Sequence, residues 1–421
     1  MKLNQLFSPF PAYIGIDWAD RKHDLCIYDG QTQTWTHRTI DSTPQAIADW
    51  VTQLRKQYGE AQLVVGLEQK RGPLLYALCQ YDNLVLVPIN PRTVANYRKA
   101  FQPSRAKSDP IDAKLIVELM QRHGDKLDVW TAGCPKHRAL RQWVESRRML
   151  VGEKVRLTNR ITASLKSYYP QVLDWFEDKH TITFCEFLEH FPNLRSAQDA
   201  SPETLREFFR SHHVVRKATI ARRTEQIQQS GPPLTQDEAI IVPAQALTQA
   251  LVALLKVILT QLVTFEAEIE ALFDSLPDAA LFQALPGAGP HLAPRLLAAF
   301  GEDRSRFNSA QSFMSYVGIA PVKEESGKKH WVHWRWSCPI FLRQTFVEWV
   351  DHARMHSGWS QAFYKQQRLA GKSHQKAIRS LAYKWGRILW RCWQDRTPYN
   401  EEKYLAALKR KKSPLIALLA N

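Results

Sequence analysis

Ala12-Tyr-Ile-Gly-Ile-Asp-Trp18 and His23-Asp-Leu-Cys-Ile-Tyr28, separated by the polar Asp20-Arg-Lys22, decide how the first part of this chain folds. Both runs are short, apolar and rich in β-branched and aromatic residues, so they predict two strands joined by a turn. Thr34-Trp-Thr-His-Arg-Thr-Ile40 alternates in polarity and predicts a third strand of the same antiparallel set. Thr43 to Tyr58 follows with Ile47, Trp50, Val51 and Leu54 on one helical face, a Ser42/Thr43 N-cap before it and Gly59 after it. Leu63-Val-Val-Gly-Leu67 and Leu84-Val-Leu-Val-Pro-Ile89 are continuous apolar runs, as central strands covered on both faces require. A short helix between Gly72 and Tyr81 separates them.

Strand, strand, strand, helix, strand, helix, strand, helix is the element order of a ribonuclease H-like α/β fold, expected here over residues 1–133. From Lys136 the pattern turns helical. Leu140, Trp143/Val144, Leu150/Val151, Val155, Ile161 and Leu165 form one stripe; Leu247, Leu251, Leu254/Leu255, Ile258, Leu262, Phe265, Ile269 and Leu272 form a second, nearly heptad one. Such helices pair with each other or with another copy of the chain, which predicts a helical, coiled-coil middle over 134–280. Prolines 170, 192, 202, 232 and 233 break Tyr169–Asp237 into short helical pieces. Residues 281–421 read as a third, mostly helical domain.

A chain of 421 residues has room for two or three domains, and 44% hydrophobic with 23% charged residues excludes wholesale disorder and fibrous architecture. No apolar run is expected to reach the roughly 18 residues of a membrane span. The opening MKLNQLFSPF has no apolar core of signal-peptide length. A cytoplasmic protein without membrane partners, nucleoid-associated when acting, is the expectation. Cysteines 26, 79, 134, 185, 338 and 392 form no C-x-x-C pair and read as buried thiols of a reducing compartment. The net charge of +16 suits a polyanionic partner. Residues 316–421 hold 20 basic against 7 acidic side chains and eight of the 14 tryptophans. Rings among cations suit single-stranded or distorted nucleic acid, and equally an aromatic core under a solvated basic face.

Asp17 ends the first strand and Glu68 the fourth; in a ribonuclease H-like sheet these strands are neighbours, so the two carboxylates meet at one edge. Asp109 and Asp112, in Lys107-Ser-Asp-Pro-Ile-Asp-Ala-Lys114, are i and i+3 at a helix start and share a face. Four converging acids repel unless cations neutralise them. Two divalent ions about 4 Å apart would do so and clamp the attacking and leaving oxygens of a phosphoryl displacement. An all-oxygen donor set points to Mg2+. The same residues have plainer readings, Asp109-Pro110-Ile-Asp112 as an N-cap with Pro at N1, and Asp17 and Glu68 as strand-end acids. A charge closing each of two buried strands is costly, however, unless something binds there.

Leu285-Pro-Gly-Ala-Gly-Pro290 between helical stretches reads as a helix-hairpin-helix whose amides, at Gly287 and Gly289, hold a phosphate, or as a structural tight turn. Further on, Arg343, Arg354, Arg368, Lys372, Lys376, Arg379, Lys384, Arg387 and Arg391 interleave with Trp349, Trp359, Trp385, Trp390 and Trp393. With Lys328, Lys329 and Arg335 they are expected to grip nucleic-acid backbone. His330, His333 and Cys338 could contribute to a zinc site, though no fourth ligand stands at a recognisable spacing.

Tyr13-Ile-Gly-Ile-Asp-Trp-Ala19, Gly66-Leu-Glu68, Pro88-Ile-Asn-Pro91 and Lys107–Lys114, followed by Leu285–Gly289, Phe307–Ala310 and Tyr316-Val-Gly-Ile-Ala-Pro321, form an ordered set spanning nearly the whole chain. In this set the chain resembles the DEDD-type insertion-sequence transposases, the bridge-RNA-guided recombinases. The resemblance implies that Asp17, Glu68, Asp109 and Asp112 are the metal-binding tetrad of a RuvC-like domain. It also implies that Ser326, in Pro321-Val-Lys-Glu-Glu-Ser-Gly-Lys-Lys329, is a nucleophile that takes a DNA phosphate. By itself that segment is equally a surface turn. The family further implies strand exchange between donor and target double-stranded DNA, directed by a noncoding RNA, and dimers that pair into a tetramer. Where the family often carries a Gly-rich basic loop after the serine, this chain has His330-Trp-Val-His-Trp-Arg-Trp336. The residues alone also fit a metal-dependent nuclease of the Holliday-junction resolvase kind, or a noncatalytic RNA-binding protein.

Overall fold

The computed structural model describes residues 1–6, 10–69, 72–101, 109–327, 329–417 and 419. The chain divides into two compact units, Met1–Ala132 and Gly133–Asn421.

In the first unit β1 (Ala12–Asp17), β2 (Lys22–Asp29) and β3 (Thr34–Asp41) form an antiparallel meander. Helix α1 (Pro44–Tyr58) leads to β4 (Leu63–Leu67), and α2 (Pro73–Leu78) leads to β5 (Leu84–Pro88). β4 lies parallel to β1 and β5 parallel to β4, giving the order β3-β2-β1-β4-β5. This mixed α/β sheet is compatible with the ribonuclease H-like arrangement. Local chemistry sets the joints: Thr43 Oγ1 accepts from the Ala46 N–H at the start of α1, and Gly59, at φ +63°, ends it. Two more helices follow, α3 (Pro91–Phe101) and α4 (Asp109–His123).

The sheet has a core on each face. Ile14, Ile16, Leu25, Leu63, Val65 and Leu67 pack with residues of α1 and α2. Cys26, Val64, Val85 and Val87 pack with Val94 of α3 and with Ala113, Ile116 and Met120 of α4. Helix α4 lies directly on the strands because β1 and β4 each offer a glycine to it. A Cβ on Gly15 would stand 2.0 Å from the Ala113 carbonyl oxygen, and one on Gly66 would stand 2.5 Å from Ile116 Cγ2.

The second unit opens with α5 (Pro135–Tyr168) and continues through five short helices, α6 (Val172–Trp175), α7 (Ile182–His190), α8 (Leu194–Gln198), α9 (Pro202–Ser211) and α10 (Lys217–Gln228). Then come α11 (Glu238–Asp274), α12 (Ala279–Gln283), α13 (Gly289–Phe300) and α14 (Ala310–Tyr316). A hairpin of β6 (Val322–Ser326) and β7 (Lys329–His333) precedes α15 (Ile340–His356), α16 (Gly358–Leu369), α17 (His374–Gln394), α18 (Glu401–Arg410) and α19 (Pro414–Ala417).

Helices α5 and α11 pair with each other within the chain: Thr248 Oγ1 donates to Ser164 Oγ at 2.9 Å, and the Trp143 and Phe265 rings meet at 4.8 Å. Two cores result. One gathers Leu157 to Leu255 and the other runs from Leu140 and Val144 through Ile269 and Phe273 to Leu415. Both long helices therefore pass through both cores, so a break at 280/281 coincides with neither. The expected stripes hold in part, since Val155, Leu247 and Leu254 are exposed. Against the expectation that no apolar run reaches membrane length, α11 contains an 18-residue stretch of mean hydropathy 1.8, long and apolar enough to cross a membrane by length and composition. Its polar residues there are mostly uncharged Gln and Thr, and the lone Lys256 does not break it.

Candidate functional site

Side chains alternate along a strand, so residues two apart share a face. Gly15 and Gly66 face α4, which puts Asp17 and Glu68 on that same face. The register extends the argument: Ile16 pairs with Leu67, so Asp17 and Glu68 are the next residues at adjoining ends of parallel strands. Asp17 is also paired with Asp24 across β2. Three carboxylates thus stand in a row across β2, β1 and β4 at one level of the sheet. Asp24 Oδ1 accepts from Thr39 Oγ1 at 2.9 Å. Sequence reasoning missed Asp24, because only the antiparallel register brings it opposite Asp17.

Asp112 precedes Ala113, the residue that touches Gly15. It is 3% exposed, and Arg98 Nη2 of α3 donates to its Oδ2 at 2.7 Å. Asp109 opens the same helix one turn earlier; its side chain lies outside the described residues, as do Lys107 and Ser108. Burial pushes the nearby Cys26 thiol up to about 11. The Lys114 ammonium lies over the Trp35 ring, 5.1 Å from its centre, on the α4 face.

In the second unit Ser326 is the last residue of β6, exposed and paired with Lys329 across a two-residue turn. Gly327 in that turn has φ +57°, with nothing within 4 Å of a Cβ placed there. Lys328 lies outside the described residues. His330 to His333 belong to β7. His333 Nε2 meets Glu324 Oε1 at 2.9 Å and its Nδ1 the Trp334 carbonyl at 2.6 Å, while Cys338 Sγ donates to the Arg335 carbonyl. These partners leave the His330, His333 and Cys338 zinc grouping unassembled. Instead the hairpin carries an aromatic slab: His333 stacks on Trp336 at 4.2 Å and lies 4.4 Å from Trp331, and both tryptophans are more than half exposed. Trp334 anchors the base of the hairpin between the guanidiniums of Arg343, at 5.2 Å, and Arg379, at 4.3 Å.

The tryptophans interleaved with the basic tail are mostly core. Trp349 of α15 and Trp359 of α16 are fully buried, as are Trp385 and Trp393, which α17 turns inward with Ile378, Leu381 and Leu389. Arg368, Lys372, Lys376 and Arg387 face solvent, whereas Arg335, Arg343, Arg379 and Lys384 are half-buried. Desolvation holds the Lys384 ammonium below its ordinary pKa. The two glycines of the 285–290 turn also differ. A Cβ on Gly287 would come within 2.7 Å of the α15 backbone at His352, so this glycine serves packing; Gly289 faces open space.

A family model described as a transposase, of the DEDD type named for IS110, matches residues 14–170; a second, the transposase IS116/IS110/IS902 family, matches residues 279–365. The chain is 28% identical to the Streptomyces coelicolor mini-circle protein named as a transposase for IS117, over 94% of this chain and 97% of that protein. It is 24% identical to a 42 kDa protein of insertion element IS900 from Mycobacterium paratuberculosis, over 94% and 99% of the two chains. It is 25% identical to a 44.8 kDa protein of insertion element IS116 from Streptomyces clavuligerus, over 91% and 95%. With family models matched over residues 14–170 and 279–365 and these relatives covered almost end to end, the chain belongs to the DEDD-type insertion-sequence transposases, enzymes of DNA transposition.

Proposed function

We propose that this transposase is a divalent-metal-dependent DNA recombinase that breaks and rejoins donor and target DNA through a serine–DNA linkage, with a noncoding RNA choosing the sites. The observation that carries the metal-dependent reading is the placement of Asp17 and Glu68 at adjoining strand ends on the face where α4 brings Asp112. That donor set is all oxygen and fits a hard cation, so Asp17, Glu68, Asp112 and Asp109 would hold Mg2+, as one ion or a pair. When bound, the metal would neutralise the acids and polarise a phosphate for displacement. Arg98, paired with Asp112, balances one buried carboxylate and holds its side chain in place.

Ser326, at the tip of an exposed hairpin, can reach a duplex backbone without backbone rearrangement, and Lys329 across the turn offers a cation to the phosphate. In the step proposed, the bond from Ser326 Oγ to phosphorus forms as a DNA phosphorus–oxygen bond breaks. The serine proton is lost to a base and the departing DNA oxygen takes one up. Attack by a hydroxyl of the other DNA reverses the displacement and rejoins the strands. Exposed Trp331 and Trp336 supply stacking surface beside the serine, while Arg368, Lys372, Lys376 and Arg387 supply phosphate contacts. Guide RNA and assembly into a tetramer rest on the family resemblance.

The test is a denaturing gel of protein incubated with labelled donor DNA, Mg2+ and the noncoding RNA flanking its gene. A covalent adduct is expected, and Ser326→Ala should abolish it while RNA binding persists. An adduct that survives Ser326→Ala would overturn the serine assignment. Hydrolysed ends without any adduct would favour the plain nuclease instead.

A further inference from the structure

We infer that Cys134, His137 and Glu302 form a binding site for a transition-metal ion of the zinc class, separate from the carboxylates at the sheet edge. Cys134 is the N-cap of α5 and His137 lies one turn on, so the i and i+3 spacing sets both on one face of the helix. Glu302 follows Gly301, whose left-handed φ of +74° ends α13 and turns the chain back. The Cys134 backbone N–H donates to Glu302 Oε1 at 2.6 Å. One ligand atom from each of the three side chains lies within 4.8 Å of the other two.

Capping of α5 by Glu302 does not explain His137. Its side chain is 9% exposed, neither ring nitrogen makes a hydrogen bond, and Nδ1 stands 3.5 Å from Glu302 Oε2. A buried imidazole left this way is costly unless something binds it. The spacing has a ready meaning in metal chemistry. With Zn–N and Zn–O near 2.1 Å and Zn–S near 2.3 Å, tetrahedral ligand atoms sit about 3.3–3.6 Å apart. The His137–Glu302 separation of 3.5 Å already has that length, and a ligand atom of Cys134 lies within 4.8 Å of one on each of the others. Thiolate and carboxylate together neutralise a doubly charged ion. The neighbouring Asp278 is held by Arg304 through both oxygens, at 2.5 and 2.7 Å, so water is left to complete the shell. Borderline-soft sulfur and imidazole donors select zinc-like ions over Mg2+. A metal here would staple the first turn of α5 to the turn that follows α13.

The test is titration of the full-length protein with Co2+ in excess Mg2+. One equivalent is expected to bind with a thiolate-to-cobalt charge-transfer band and to be displaced by Zn2+. Cys134→Ser should abolish the band, His137→Gln should lower affinity by about tenfold or more, as loss of even a supporting residue does elsewhere, and Cys338→Ser should change nothing. Zinc should also protect Cys134, and not Cys79, from alkylation in the unmutated protein, a readout that survives misfolding of any variant. A wild-type protein without a stoichiometric thiolate band, a band that persists in Cys134→Ser, or equal alkylation of Cys134 with and without zinc would overturn the inference. Because the readout is a sulfur signature, failure here leaves the reading of Asp17 and Glu68 untouched.

Discussion

Asp17 and Ser326 are each the last residue of a strand, yet they are held in opposite ways. β1 is hydrogen-bonded on both sides and covered on both faces, so its end is fixed by the whole sheet. Among the described residues β6 pairs only with β7, and four of its five residues are exposed. The contrast matches the chemistry proposed for each. Carboxylates that share ions need a fixed spacing and are built on buried strands. A nucleophile that must meet a bulky duplex is carried on an exposed arm, here held at its base by Trp334 against Arg343 and Arg379.

Removing the chemistry at each strand end should give the largest effects and separate the roles. Asp17→Asn or Glu68→Gln should lower strand exchange by about 10³-fold or more, the scale of several kcal/mol of transition-state stabilisation. Clustered acids repel, so the thermal midpoint measured without Mg2+ should hold or rise. Ser326→Ala should erase adducts and leave the midpoint unchanged, since its side chain is exposed. A Tm drop of many degrees in Asp17→Asn, with activity retained, would make that acid structural and dissolve the comparison.

The tryptophans break the comparison along another line, between core and surface of one unit. Trp385→Ala should cost about 3–5 kcal/mol, because the ring is fully buried and its Nε1 donates to Ser360 Oγ. Trp331→Ala and Trp336→Ala should barely move stability yet weaken single-stranded DNA binding by about 1–3 kcal/mol for each base that loses its stack. Fluorescence anisotropy against thermal melts distinguishes the two outcomes. Reversing Lys372, Lys376 and Arg387 should then flatten the dependence of DNA affinity on salt, since released counterions scale with the phosphates contacted.

Legibility in the sequence followed how local the cause was. β1, β2 and α1 were readable because their signals are local: the apolar period within each run and, for α1, an N-cap at Thr43 and a glycine stop at Gly59. Asp17 and Glu68 were readable as strand ends. Asp24 was not, since its place depends on a pairing register. The Cys134 site was invisible for the same reason: Glu302 lies 168 positions further along. The tail left two readings open because one spacing serves two purposes on α17, where Trp385 and Trp393 follow Ile378 and Leu381 inward while Lys376 and Arg387 face out. Helical periodicity separates the two sets where composition merges them, since Ile378, Leu381, Trp385 and Leu389 recur at the three- and four-residue steps of one buried stripe.

The smallest effects come from giving a glycine a methyl group in each region, and they sharpen the comparison most. In Gly15→Ala the new carbon would lie 2.0 Å from the Ala113 carbonyl, so α4 must move away from β1 at a cost of about 1–3 kcal/mol. Because Asp112 is the residue beside Ala113, the same shift should depress catalysis beyond what lost stability explains, which activity measured well below the melting temperature will show. Gly327→Ala meets open space and carries only the left-handed backbone cost of about 1–2 kcal/mol, which Gly327→Asn should largely relieve. If Gly15→Ala melts lower but cleaves normally at low temperature, α4 does not set the position of Asp112. The rigid half of the contrast would then reduce to packing alone.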